Sequence, residues 1–421
     1  MVDRFWKRCR VRLGLLAAFL MVASVGCARR EVVIPSFDPE AVPLTPGAPS
    51  ARLASPQAQA TARAMMKTAV SVTPSPTPTR VPPDSTATTY TVKPGDTMLR
   101  VAALYGTTVE ALMRLNGLSN ADQLVVGQVL QVGLDAEHTG PARALLPDSE
   151  LVYGPGYADF DVAAEVARHP GLLAHYAEAV NGRSMTGAEI VELVAEQYSV
   201  GPRVLLALLE LRGGWLSSAD PTPTQRSYPL GYMRGAYWEG LYRQLSQAAN
   251  GLNTGFYGWW LDELWLIQTG DGTFIQYSTE LNAATAGVQK MLADTADGYE
   301  AWLDDIDRFR SVYESLFGDP FQYAVEPLIP AGAVAPALAL PWPEGETWYY
   351  TGGPHPGWGT LGAFSAVDFV TGEEHIGCAT SQQWVTAVAP GLVVRSEDGM
   401  VLQDLDGDGF TGTGWVILYM H

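Results

Sequence analysis

At 421 residues, with 47% apolar residues and 12 tryptophans, the chain is long enough for two or three domains and has the material for real cores. Its formal net charge of −19 argues against a nucleic-acid binder, because a phosphate backbone demands a basic face. The cysteines are Cys9, Cys27 and Cys378; two lie near the N-terminus, so the rest of the chain has one thiol and no internal disulfide framework.

Arg4, Lys7, Arg8, Arg10 and Arg12 precede an apolar run over residues 13–25. Basic residues followed by a short apolar run suit an export signal, and the run is too short for an ordinary membrane-spanning helix. It ends in Ser24-Val-Gly-Cys27, which resembles a lipoprotein signal, with Ser24 in the place of the usual Leu. The resemblance implies a signal over residues 1–27, lipidation at Cys27, and an exported, membrane-anchored lipoprotein facing the cell wall or periplasm. A plain cleaved secretory signal or an uncleaved anchor fits the same residues. Residues 28–88 are rich in Pro, Thr, Ser and Ala and cannot bury enough apolar area to offset their ordering entropy, so they read as a disordered spacer.

In the next block, alternation at Tyr90 and Val92 predicts a strand. Asp96 is placed to cap a helix whose apolar face is Leu99, Ala102 and Ala103. Thr107 and Glu110 have the spacing of a capping box for a second helix carrying Val109, Leu112 and Met113. Residues 128–132 return as a strand. This strand–helix–helix–strand order, with Tyr90-Thr-Val-Lys-Pro-Gly95-Asp96-Thr97 at its start, resembles a LysM domain over residues 89–133. That family binds the N-acetylglucosamine of peptidoglycan or chitin. The resemblance implies a sugar groove between Gly95, Asp96, Thr97 and Met98 on one side and Asp122, Gln123 and Leu124 on the other.

Residues 148–326 read as mostly helical. Thr186-Gly-Ala-Glu189 opens an amphipathic helix with Ile190, Leu193, Val194 and Tyr198 at helical spacing. A second starts at Pro202 and closes at Gly213-Gly214. More are expected around residues 237–249, 279–292 and 299–316. The first pair vaguely resembles the opening helices of lysozyme-like lytic transglycosylases, in which a Glu is the catalytic acid. Here the matching position is Arg212, which cannot protonate a glycosidic oxygen, and Glu210 lies about 200° round the helix from it. The region is therefore expected to be non-catalytic, either a packing module or a degenerate sugar-binding one. Trp238, Tyr257, Trp259, Trp260 and Trp265 are read as core before sugar platforms.

Pro-rich residues 327–343 lead into a terminal segment with His355 in a Gly/Pro loop, Asp368 on a short apolar run, and a second apolar run ending at His421. Imidazole and carboxylate are zinc ligands, and zinc makes bound water a nucleophile near neutral pH. Thr-Gly-Gly-Pro-His355, Ala-Val-Asp368-Phe, residues 385–395 and Leu418-Tyr-Met-His421 resemble the LasA/lysostaphin family of zinc metallopeptidases, which cut peptide cross-links in peptidoglycan. The resemblance covers residues 340–421. It implies zinc held by His355 and Asp368, with His421 assisting catalysis and Tyr350 and Trp358 lining the cleft. The family's third zinc ligand comes from a later His-x-His, which this sequence lacks. The chain thus reads as truncated, and weak or no activity is expected of it.

Asp404-Leu-Asp406-Gly-Asp408-Gly409 fits the front of a calcium loop, but Trp415 stands at the twelfth position, and a hairpin turn is preferred. Glu373, Glu374, His375 and Cys378 read as ordinary loop residues. The whole is expected to be multidomain α+β: a small βααβ domain, a helical middle and an incomplete antiparallel β-sheet peptidase domain. The implied partners are peptidoglycan glycan and peptide stems, and a membrane through lipid or signal. The alternative is a non-catalytic peptidoglycan-binding protein that anchors or regulates other wall hydrolases.

Overall fold

The structure is a computed structural model that describes residues 89–420 apart from 106–108, 133–135, 137, 262–263, 331, 372–382 and 398. The expected signal with Cys27, the spacer, Thr107 of the second capping box, the loop of Glu373, Glu374, His375 and Cys378, and His421 lie outside the described residues. Among the described residues, mixed helices alternate with small sheets, and no helix is long and apolar enough to cross a membrane. Two compact units divide the chain. The smaller includes Trp342–Trp348, whose two Trp rings stack 5.2 Å apart, and the larger includes the described residues of 89–341, 349–370 and 387–420.

The first folded block pairs β1 (Thr89–Thr91) antiparallel with β2 (Val129–Gln131), Tyr90 opposite Leu130, around α1 (Met98–Leu104) and α2 (Val109–Leu115). Its buried stripe on α1 is Met98, Val101 and Ala102, whereas Leu99 is 58% exposed. The expected face is out of phase because the cap is Thr97 and not Asp96. The Thr97 hydroxyl accepts from the Arg100 N–H at 3.1 Å. Asp96 instead locks the preceding turn, accepting from the Lys93 N–H and the Tyr90 hydroxyl, both at 2.7 Å. Asn116 ties α2 to β2, donating to Gln131 O at 2.8 Å and accepting from Gln131 N at 2.6 Å.

The middle region runs β3 (His138–Thr139), α3 (Asp148–Leu151), α4 (Val162–Ala167), β4 (Ala177–Val180), β5 (Arg183–Thr186), α5 (Gly187–Tyr198), α6 (Pro202–Gly213), α7 (Pro223–Ser227), α8 (Leu241–Trp260), β6 (Leu266–Gln268), β7 (Phe274–Gln276), α9 (Ala283–Ala293) and α10 (Tyr299–Phe317). Strands β4 and β5 form a hairpin, and β7 lies between parallel β3 and antiparallel β6. The Thr186–Glu189 capping box opens α5 as its spacing predicts, and Ile190 and Val194 are fully buried. Helix α6 begins at Pro202 and ends at Gly214, whose φ of +62° only glycine adopts freely. Val204, Leu205, Leu206, Ala207, Leu208 and Leu209 are all fully buried, so α6 is the central helix of the region.

Helix α8 runs well past its expected end near residue 249, through Gly251, Gly255 and Gly258. Glycine ordinarily weakens a helix, but here it lets two backbones approach: a Cβ at Gly255 would lie 2.6 Å from Ala286 O and 2.7 Å from Gly287 Cα on α9. The first turn of α8 has no cap of its own. Glu178 of β4 supplies one, accepting from Leu241 N at 3.0 Å and Tyr242 N at 2.6 Å. Trp259 is buried against Trp265, and its indole donates to Leu281 O at 3.0 Å, as the core reading expects.

The terminal segment contains β8 (Trp348–His355) paired with β9 (Ala366–Thr371), and an antiparallel meander of β10 (Leu392–Glu397), β11 (Met400–Asp404) and β12 (Val416–Met420). Among the described residues these form two small sheets, β8–β9 and the antiparallel β10–β11–β12 meander. His355 closes a strand and does not sit in a loop, because the Gly-Gly-Pro before it belongs to β8, which pairs with β9.

The connection from β11 to β12 is a turn built on carboxylates. Asp404 accepts from Asp406 N at 3.1 Å and Gly409 N at 2.8 Å, and Asp408 accepts from Phe410 N at 2.7 Å. Asp404, Asp406 and Asp408 also bring ligand oxygens within 4.8 Å of one another. Burial, with Asp404 and Asp408 nearby, pushes Asp406 up to about 6 against the lowering bond from the Asp408 N–H. Between about pH 4 and 6 the folded form therefore keeps a proton that the unfolded chain has lost, and stability falls as pH rises through that window. Asp406→Asn is expected to stabilise the chain by about 1 kcal/mol at pH 7 in a chelator, the shift being discounted because the side chain is largely in water. Urea unfolding at pH 7 and pH 4 checks this: the gain vanishes at pH 4, and a gain equal at both would rule out charge repulsion.

Candidate functional site

Strands β8 and β9 bring two side chains of the terminal segment together. His355 Nε2 lies 2.9 Å from Asp368 Oδ2, and His355 Nδ1 lies 2.8 Å from the carbonyl oxygen of Pro356. A carbonyl oxygen and a carboxylate both only accept, so both ring nitrogens must carry protons unless a cation stands between His355 and Asp368. The bond to Pro356 first, and Asp368 second, push His355 above its usual range. Both side chains are open to solvent, 42% for His355 and 57% for Asp368. Among the described residues no third metal-capable side chain joins them; the one such group of three is the Asp404 turn.

Tyr350 stays on the exposed face of β8, its hydroxyl donating to Gly353 O. Trp358 turns toward the helical region, its ring 6.5 Å from that of Tyr198 on α5. Sequence reasoning missed the contacts around it. Thr360 N donates to Asn250 Oδ1 of α8 at 2.6 Å, across 110 residues. Arg395 of β10 donates to Glu196 of α5, and Thr411 Oγ1 donates to the same carboxylate at 3.0 Å. No local pattern signals partners so far apart in sequence.

At the sugar groove expected in the first block, Met98 is buried in the core and Leu124 packs against it. Gly95, Thr97, Asp122 and Gln123 remain exposed. Gly95 adopts φ +87°, and a Cβ there would meet nothing within 4 Å, so its backbone is open. Met98 can thus offer a ligand its main chain but not its side chain.

In the helical region Glu210 and Arg212 are both held in structural bonds. Glu210 accepts from Leu216 N at 2.9 Å, Ser217 N at 3.1 Å and the Ser217 hydroxyl at 2.5 Å, closing the turn after α6. Arg212 meets Asp305 at 2.6 Å and donates to Thr295 Oγ1 at 2.8 Å. Glu210 is thus not positioned as a free acid.

Comparison with known proteins assigns the first two blocks. Residues 90–133 match the LysM domain family, and residues 144–331 match the family described as LasA, N-terminal domain. "N-acetylmuramoyl-L-alanine amidase sle1" of Staphylococcus saprophyticus is 55% identical over 47 residues, 11% of this chain and 14% of that protein. "Probable endopeptidase p60" of Listeria seeligeri is 49% identical over 49 residues, 12% of this chain and 9% of that protein. The sle1 amidase of Staphylococcus epidermidis is 43% identical over 60 residues, 14% and 18% of the two chains. The chain thus spans less than a fifth of the length of these curated relatives, and the likeness is local to the LysM region. No solved structure matches. The chain carries a LysM domain followed by a LasA N-terminal domain.

Proposed function

We propose that the chain is an exported peptidoglycan hydrolase of the zinc endopeptidase type, held at its substrate by the LysM domain. The observation that carries this is the meeting of His355 and Asp368 at 2.9 Å, with the far ring nitrogen fixed on a backbone carbonyl. That carbonyl keeps the proton on Nδ1 and leaves Nε2 for an ion, the arrangement that orients metal-binding imidazoles. In a tetrahedral zinc shell neighbouring donor atoms lie roughly 3.3 Å apart, so the pair needs to open only slightly to fit the ion. When bound, zinc polarises a scissile carbonyl and makes its water acidic. His355 and Asp368 would hold and orient the ion, and His421 would assist as a general base or oxyanion stabiliser. Gly95, Asp96, Thr97, Asp122, Gln123 and the main chain at Met98 and Leu124 receive the N-acetylglucosamine strand. Cys27 carries the lipid that anchors the exported protein to the membrane, facing the cell wall or periplasm.

Among the described residues His355 and Asp368 stand as two candidate ligands. The LysM match over residues 90–133 also suits a second reading, a wall-binding protein without hydrolytic activity. Titration of the metal-free chain with zinc is expected to show one site of roughly micromolar to sub-millimolar affinity, lost in His355→Ala and in Asp368→Ala. Muropeptide analysis of purified peptidoglycan, with and without chelator, separates the readings. New free peptide ends that vanish with chelator support the peptidase; sedimentation with peptidoglycan and no cleavage supports the binder. Zinc uptake that survives both substitutions would sink the site.

A further inference from the structure

We propose that Asn250 of α8 is a positioning residue that clamps the loop leaving His355 and so sets the His355–Asp368 geometry from the LasA N-terminal domain. The inference rests on the zinc reading only for its purpose; the clamp itself rests on packing. Residues 356–365 join the two candidate ligands directly. In their middle, Thr360 N donates to Asn250 Oδ1 at 2.6 Å, and Asn250 Nδ2 faces Thr360 Oγ1 at 3.4 Å. Gly359 sits at φ +73°, and any Cβ there would run into Asn250 Oδ1 and lie 3.4 Å from the Tyr198 ring. Leu361 next to it is fully buried. Trp358 leans on Tyr198, whose own carbonyl is held by Asn253 Nδ2 at 2.8 Å.

The bearing surface is rigid, since Asn250 lies within the long helix α8 and its carbonyl accepts from Thr254 Oγ1 at 2.8 Å. A strand end followed by ten residues of loop has many conformations; one side-chain bond plus a glycine fitted against it selects one. Helix α8 therefore does for His355 what a supporting shell does for a metal ligand: it fixes the direction in which the ring is presented.

Hydrogen exchange of the full chain, read on peptides covering residues 357–362, tests the clamp. Asn250→Ala is expected to speed exchange there about five- to tenfold, the loss of one half-buried hydrogen bond, while α8 itself keeps its protection. Asn250→Asp, which retains the accepting oxygen, restores slow exchange. Gly359→Ala, which attacks the same contact from the loop side, reproduces the Asn250→Ala result. Cobalt titration read by its visible absorption supplies the second measure, with Asn250→Ala weakening uptake about three- to tenfold and Asn250→Asp recovering it. Unchanged loop exchange in Asn250→Ala overturns the clamp. Faster exchange with unchanged cobalt affinity overturns the positioning role. An unaltered chain that takes up no cobalt defeats the zinc reading instead, and the exchange data still decide whether Asn250 holds the loop.

Discussion

Replacing Arg203 by Met will destabilise the helical region by about 3–5 kcal/mol. The cost comes from what is left behind. Glu150 of α3 is fully buried, and its carboxylate accepts from Arg203 Nε at 2.8 Å, Arg203 Nη2 at 2.7 Å, the Tyr157 hydroxyl at 2.7 Å and the Tyr313 hydroxyl. The guanidinium is sandwiched by rings, 4.1 Å from the centre of Tyr157 and 3.9 Å from that of Tyr323. Burial alone would lower Arg203, but its bonds to Glu150 raise it, so the guanidinium keeps its charge in the folded state. Removing one charge strands the other without water; removing both does not. Glu150→Leu with Arg203→Met is therefore expected to recover most of the loss. Tyr157 keeps a backbone acceptor in Glu150 O at 2.6 Å, so the residue of about 1–3 kcal/mol belongs to the orphaned Tyr313 hydroxyl. Adding Tyr313→Phe removes that too. Tryptophan emission reports the transition, since Trp215, Trp259 and Trp302 are all buried in this region. A fall of roughly 10 °C in Tm is expected for the single variant and much less for the double. A single variant within about 1 kcal/mol of the parent would show that the pair is solvated in solution.

Local chemistry was legible in the sequence where both partners lie within a turn of each other. The Thr186–Glu189 box, Pro202 and Gly214 at the ends of α6, and the strand–helix–helix–strand order of the LysM domain all follow from spacing alone. Where two nearby residues compete for one role, the pattern misleads: Asp96 and Thr97 can each cap, and choosing wrongly rotates the expected face from Met98 to Leu99. Helix α8 runs past its expected end near residue 249, through Gly251, Gly255 and Gly258, for a different reason. Their local preference opposes a helix, and only the partner helix, some thirty residues on, overrides it.

The candidate site divides the same way. His355 and Asp368 stood out as candidates because imidazole and carboxylate are zinc ligands and their surroundings resemble a metallopeptidase motif, and the two strands bring them together. Nothing about Asn250 marks it in sequence. An amide within a helix is ordinary, and its partner at Thr360 is separated by 110 residues. Glu196 is equally plain until Arg395 and Thr411 reach it. Residues that support a site act by shape and distance, which exist only in the folded chain.

The close approach of α8 and α9 gives the second large effect. Gly255→Ala is expected to destabilise by about 2–3 kcal/mol, the opposite sign from an ordinary helical glycine, where alanine gains roughly 1 kcal/mol. The new methyl would face Ala286 O at 2.6 Å and Gly287 Cα at 2.7 Å, both backbone atoms that move only if the helices part. Gly251→Ala, one turn earlier, meets the ends of Asp294 and Tyr232 side chains at 3.1 and 3.2 Å and Met291 Cα at 3.5 Å. Those side chains can yield, so the helical gain nearly cancels the crowding, and the variant should lie within about 1 kcal/mol of the parent. Gly287→Ala pushes on the same gap from α9, 2.8 Å from Leu252 O, and should cost as much as Gly255→Ala. Once one methyl has separated the helices the second finds room, so the two together should cost less than their sum. Urea unfolding of the three single variants and the Gly255–Gly287 double provides the comparison. Strict additivity at this contact would mean that the helices do not move as rigid bodies and that each methyl is absorbed locally.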